Sequence, residues 1–200
     1  MTLAINKIIN SLLEIILFSL LPFLFWYFSA RKQERFTDWI GLKKIKGAKK
    51  TALAIIIVTT FYLLISLILL NNLKNIENAT SEFQGLRFAA LPAIFIYAVF
   101  NTSFPEEILF RGFILKRLAN KLGFTKANFI QGLLFGLLHG VMFFPLVGNL
   151  KSILIILLTS LIALSMGYIN EKSSYGSIIP SWIIHAFSNF IAGIYLAFYI

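Results

Sequence analysis

The chain has two histidines, and both lie deep in apolar stretches: His139 in FIQGLLFGLLHGVMFFPLV and His185 in IIPSWIIHAFSNFIAGIYLAFYI. A pair of carboxylates, Glu106 and Glu107, opens a third such stretch, PEEILFRGFIL. Carboxylate and imidazole together can activate water, bind a metal ion or relay protons. An ionisable side chain inside a membrane costs about 2.5–3.5 kcal/mol on insertion scales, so each marks a functional site by default.

Spacing sorts these residues into pairs. Glu107 and Arg111 are four apart and share a helix face, in the order that favours an ion pair. Glu106 points about 140° away from Arg111. Arg111 can therefore neutralise Glu107 and leave Glu106 free to react. Pro105 suits a first helical turn, where its missing N–H is harmless. Phe135 and His139 are one turn apart, and Gly132, Gly136 and Gly140 would let a neighbouring helix approach His139 closely. His185 and Asn189 are also four apart and can aim two donors at one atom. Each pair has a bland reading: solvated interfacial charges, a satisfied core histidine, polar glue between helices. All three must hold together for the chain to lack a site.

Elimination narrows the chemistry. Gly140 follows His139, so there is no HExxH helix, and no GxSxG nucleophile elbow occurs. The only aspartate is Asp38, in a basic loop, which excludes an aspartyl pair; cysteine is absent, which excludes a thiol nucleophile. Ser177 and Ser188 stand in no recognisable nucleophile context. Two versions remain. In one, Glu106 with His139 takes a proton from water that attacks an amide carbonyl, and His185 and Asn189 donate to the oxyanion. A good donor there contributes about 3–4 kcal/mol. In the other, Glu106, His139 and His185 hold a zinc ion as a His₂Glu set.

Such residues need a scaffold, and composition says which. The chain is 58% hydrophobic and 13% charged, with mean hydropathy +0.84. That is far from a soluble domain. Six stretches approach the roughly 20 apolar residues of a span: 5–28, 52–71, 88–115, 127–147, 151–170 and 178–199. The expected fold is an all-α, polytopic transmembrane bundle with a polar site between its helices. The third stretch carries Pro92 and Pro105 and is expected to kink, or to split near Asn101–Pro105. The N-terminal apolar run resembles a signal peptide, but a basic cluster closes it and Ser29-Ala30 is a poor cleavage signature, so it reads as a retained helix.

Lysine and arginine set the orientation. Loops 29–51, 116–126 and 171–177 carry thirteen of them, against Lys7, Lys74, Arg87 and Lys151 on the other side. The basic loops are therefore expected in the cytoplasm and both termini outside. Segment 31–50 is expected to lie on anionic lipid rather than nucleic acid. At 1.5 Å per residue, His139, Glu106 and His185 lie about 18, 13 and 10 Å from the cytoplasmic edge. They can meet in the inner half of the bundle, reached from the cytoplasm or sideways from the inner leaflet.

The three motifs Glu106-Glu107-x-x-x-Arg111, Phe135-x-x-x-His139 and His185-x-x-x-Asn189, in that order, resemble those of the CPBP intramembrane proteases. These are the CAAX protease and bacteriocin-processing family, also called Abi. Gly176-Ser177 with Pro180-Ser181 has the family look as well. The resemblance spans roughly 88–195, which divides the chain into variable helices at 1–87 and a catalytic core at 88–200. It implies that Glu106 and His139 activate water, that His185 and Asn189 stabilise the oxyanion, and that Glu107, Arg111 and Phe135 support them. On this reading the reaction is glutamate-dependent and requires no cofactor, with zinc the alternative. Implied substrates are membrane-associated peptides or proteins, in CAAX-type processing, bacteriocin processing or self-immunity. A Lys-, Ile- and Asn-rich composition suggests a bacterial cell membrane. Two rival classes stand beside this one: a non-enzymatic immunity or scaffold protein, and a proton-coupled transporter, for which six spans are few and the inverted repeat that many transporters show is not visible.

Overall fold

In the computed structural model, residues 2–72 and 80–198 are described, and they form an all-helical bundle. Six helices make it up: α1 (Thr2–Ser29), the short α2 (Phe36–Trp39), α3 (Ala48–Asn72), α4 (Arg87–Leu122), α5 (Phe124–Ser173) and α6 (Ile179–Phe198). Five of them are long and apolar enough to cross a membrane. α5 is two spans in one, because Gly148 takes φ 72° and ψ −179° in its middle. Only glycine adopts that backbone without strain. The limbs of α5 fold back on each other as the expected pair 127–147 and 151–170. Their seam is set by small residues: a Cβ on Gly136 would lie 2.0 Å from Ser160 Oγ, and one on Gly140 2.1 Å from Ile156.

α1 and α3 show mostly apolar side chains to the outside, among them Leu13, Ile16, Leu17, Ile56 and Leu64. A lipid phase is the solvent that accepts such faces. The chain is an integral membrane protein.

α4 neither splits nor begins at Pro105. It runs continuously from Arg87 to Leu122 and widens into π turns at Tyr97–Ser103 and Ile108–Leu115. Proline removes one backbone donor and crowds the preceding turn. The widened turn accommodates it, and side chains take the displaced carbonyls. Ser103 Oγ donates to Ala98 O at 2.6 Å, Thr102 Oγ1 to Tyr97 O at 3.3 Å, and Trp182 Nε1 of α6 to Val99 O at 2.9 Å.

The three basic loops gather on one face. Ser177 Oγ donates to Lys43 O, Ile178 N to Gly41 O, and Lys116 Nζ lies 2.7 Å from Glu171. Arg117 lies over the Trp39 ring at 3.7 Å. Segment 29–51 is thus not a free loop: Trp39 and Ile40 are buried with Ala30, Ile108 and Ile178. At the other end Lys7 pairs with Glu82, and Phe83 packs with Ile94, Tyr97 and Ala197. Lys74, placed at that end by sequence, lies outside the described residues, as does residue 199 at the end of the last expected span.

Candidate functional site

One cavity of about 240 Å³ opens between α3, α4, both limbs of α5, and α6. Glu106 from α4, Phe135 and His139 from α5, and His185 and Asn189 from α6 all line it. Residues of all three motifs thus line one cavity. Glu107 and Arg111 stand behind the cavity wall, both fully buried.

The two carboxylates separate as their helical angles require. Glu107 lies against Arg111, with Oε1 3.0 Å from Nη1, by charge rather than by an aligned N–H···O bond. A buried pair like this is costly to break, because either partner alone is an uncompensated charge. The guanidinium also sits 4.3 Å from the Phe135 ring centroid, a cation–π contact that completes its surroundings. Glu106 turns the other way. Its side chain is 18% exposed, and Oε2 has no hydrogen-bond partner among the described protein atoms. That oxygen is free to accept a proton.

The histidines are oriented by different groups. His185 Nδ1 lies 3.1 Å from Glu107 Oε1, which as a carboxylate can only accept. Nδ1 therefore carries the proton, and Nε2 faces the cavity, 3.9 Å from Glu106 Oε2. His139 Nδ1 lies 2.9 Å from the carbonyl of Phe135, so it too donates there and presents Nε2. The Phe135 ring stands beside both imidazoles, 4.4 Å from His139 and edge-on to His185 at 5.9 Å. Among the described residues no three His, Cys, Asp or Glu side chains are grouped so as to hold a metal ion.

Asn189 reaches back to the π turn of α4. Its Nδ2 donates to Thr102 Oγ1 at 2.8 Å and lies 3.4 Å from Ser103 Oγ. Both hydroxyls direct their own protons at carbonyls of α4, so only lone pairs face Asn189. This fixes the amide with nitrogen toward α4.

Several residues at the site escaped the sequence reading. Ser181 Oγ lies 2.5 Å from Glu107 Oε2, and Asn170 holds Ser181 by two hydrogen bonds. Thr102 anchors Asn189, and Tyr62 and Ser66 of α3 add polar groups to the cavity wall. Only Ser181 carried a signal, through the Pro180-Ser181 lead-in to the last motif.

Comparison with protein families agrees with this geometry. A model described as "Type II CAAX prenyl endopeptidase Rce1-like" matches residues 87–191. The chain belongs to this family. Membership implies an intramembrane protease with a protein or peptide substrate. The matched segment opens at the start of α4 and ends within α6, just past Asn189, so it contains every motif residue. Neither comparison with curated proteins nor comparison with solved structures yields a match.

Proposed function

We propose that this Rce1-like chain is a glutamate-type endopeptidase that hydrolyses a peptide bond in a membrane-associated peptide or protein. One observation carries the reading: Glu106, His139, His185 and Asn189, from three helices, line a single cavity in which Glu106 Oε2 is unpartnered. Glu106 with His139 Nε2 takes a proton from water, whose oxygen attacks the scissile carbonyl. The C–N bond then breaks, and the amine leaves with that proton. His185 has one proton committed to Glu107, so it donates to the oxyanion through Nε2 only when it carries both. Asn189 keeps one N–H on Thr102. The other reaches Ser103 only at 3.4 Å, a length weak enough to exchange for an oxyanion.

The basic face formed by 29–51, 116–126 and 171–177 lies on the cytoplasmic side, against anionic lipid, in a bacterial cell membrane. Both termini then lie outside. Residues 1–87 serve as a variable support for the catalytic core at 88–200. CAAX-type processing, bacteriocin processing and self-immunity are the roles this activity suits.

The test is a cleavage assay on purified protein in detergent or liposomes. It uses a quenched fluorescent peptide library and a prenylated CAAX peptide. Glu106→Ala is expected to lower turnover by about 10²- to 10⁴-fold while remaining folded, and a zinc chelator is expected to leave the wild type active. Loss in chelator with recovery on adding Zn²⁺ would replace the glutamate mechanism by a metal one. Full cellular activity in Glu106→Ala would favour the non-enzymatic immunity reading.

A further inference from the structure

Glu107 is joined to more than the residues of its motif. Its Oε1 meets Arg111 and His185 Nδ1, and its Oε2 meets Ser181 Oγ at 2.5 Å. Ser181 is itself fully buried in the first turn of α6. Its hydroxyl has one proton and two acceptors in reach, Glu107 Oε2 and, at 3.0 Å, Ile178 O. The carboxylate is nearer and charged, so it receives the proton. Asn170, also fully buried, lies near the end of α5. Its Oδ1 accepts the backbone N–H of Ser181 at 3.1 Å, which forces Nδ2 to be the group that donates to Ser181 Oγ at 2.7 Å. Flipping the Asn170 amide would set its Nδ2 against the Ser181 N–H, and turning the Ser181 proton to Ile178 O would set lone pair against lone pair at Glu107 Oε2.

We propose that Ser181 and Asn170 are positioning residues for the proteolytic reaction. Asn170 locks Ser181, Ser181 occupies Oε2 of Glu107, and the carboxylate is thereby turned so that Oε1 holds the Nδ1 proton of His185. The imidazole is then fixed with its first proton on Nδ1, against Glu107, so that the second, when the ring takes it up, sits on Nε2 in the cavity, where the oxyanion needs a donor. The inference rests on the protease reading for its effect on rate, but the tautomer is a property of the resting protein. The arrangement follows the logic of a carboxylate that orients a catalytic histidine, itself oriented by a further shell.

The experiment uses full-length protein labelled with ¹⁵N-histidine in detergent micelles. With two histidines in the chain, the spectrum holds two ring systems, assigned by His139→Gln. In wild type, the neutral form of His185 is expected as the Nδ1–H tautomer. Ser181→Ala, which removes one atom and keeps the packing, is expected to convert His185 to a mixture while leaving the His139 signals in place. Peptide turnover should fall about 10- to 100-fold, on the scale of other supporting-shell losses, in kcat rather than KM. Ser181→Cys, a weaker donor of similar size, should fall between. Ser165→Ala, at an exposed hydroxyl bonded only to its own helix, serves as the control. An unchanged His185 spectrum in Ser181→Ala with turnover within twofold of wild type would overturn the proposal. A converted tautomer in a protein whose wild type cleaves nothing would uphold the positioning and instead remove the protease reading.

Discussion

His185 and His139 face one cavity, yet opposite kinds of structure hold them. His185 is oriented by a side chain, Glu107, which belongs to a helix 78 residues away and is itself held by Arg111 and Ser181. His139 is oriented by its own helix, through the Phe135 carbonyl and the Phe135 ring. One region is thus a buried polar network in which each atom depends on another element. The other is local geometry, carried along wherever the limb of α5 goes. The network is sensitive to single atoms, because a half-satisfied polar cluster costs more than none. The local arrangement is sensitive to how closely the two limbs of α5 pack.

The sharpest way to break this comparison is to remove one group from each side. Glu107→Ala leaves Arg111 buried without its counter-ion, a loss of about 3–5 kcal/mol. The expected result is a large fall in the unfolding midpoint in detergent, together with loss of peptidase activity. His139→Ala removes only a half-buried ring bonded to its own backbone. It should abolish turnover by about 10²- to 10⁴-fold with a stability change of about 1 kcal/mol. Equal destabilisation by the two variants would mean that His139 also belongs to a network.

A smaller effect is expected where the local side is touched through packing. Gly136→Ala places a methyl 2.0 Å from Ser160 Oγ and 2.5 Å from the Ile156 carbonyl. The limbs must separate, at about 1–3 kcal/mol, and His139 moves with them. Turnover and unfolding midpoint should fall together with the His185 tautomer unchanged, whereas Ser181→Ala should convert that tautomer. A Gly136→Ala protein with wild-type midpoint would show that the seam of α5 has slack.

The same contrast explains which parts of the molecule were legible in sequence. Pairs four residues apart on one helix announce a shared face, so Glu107 with Arg111, Phe135 with His139, and His185 with Asn189 could be read directly. Gly132, Gly136 and Gly140 announce a close helix partner in the same way. The break at Gly148 fell where two apolar stretches met. By contrast, Ser181 and Asn170 act across a helix boundary, and Ser181 meets a carboxylate 74 residues away. No periodicity encodes that. The π turns of α4 were equally silent, since Pro105 signals a disturbed helix but not whether the chain splits, restarts or widens. The side chains that satisfy the widened turn, Thr102, Ser103 and Trp182, are ordinary residues for a membrane helix. Segment 29–51 reads in sequence only as a basic loop, because its charges outnumber Trp39 and Ile40, yet those two apolar residues are buried against the bundle.

The finest distinction concerns Asn189, which stands between the two regimes: on α6 with His185, but tied to the wide turn of α4. Thr102→Val keeps the shape of the side chain and deletes the lone pairs that receive Asn189 Nδ2. A neutral hydrogen bond of this kind contributes about 0.5–1.5 kcal/mol, so kcat should fall by about two- to tenfold. KM should stay unchanged if the amide serves the transition state rather than the bound substrate. Stability should fall by no more than about 0.5–1.5 kcal/mol, because Thr102 Oγ1 gives up a 2.8 Å bond from Asn189 and a 3.3 Å bond to Tyr97 O while Ser103 Oγ stays within 3.4 Å of Asn189 Nδ2. A rise in kcat would reverse the reading: Thr102 would then be restraining an amide that works better free, and the wide turn would be a brake on the oxyanion site rather than its anchor.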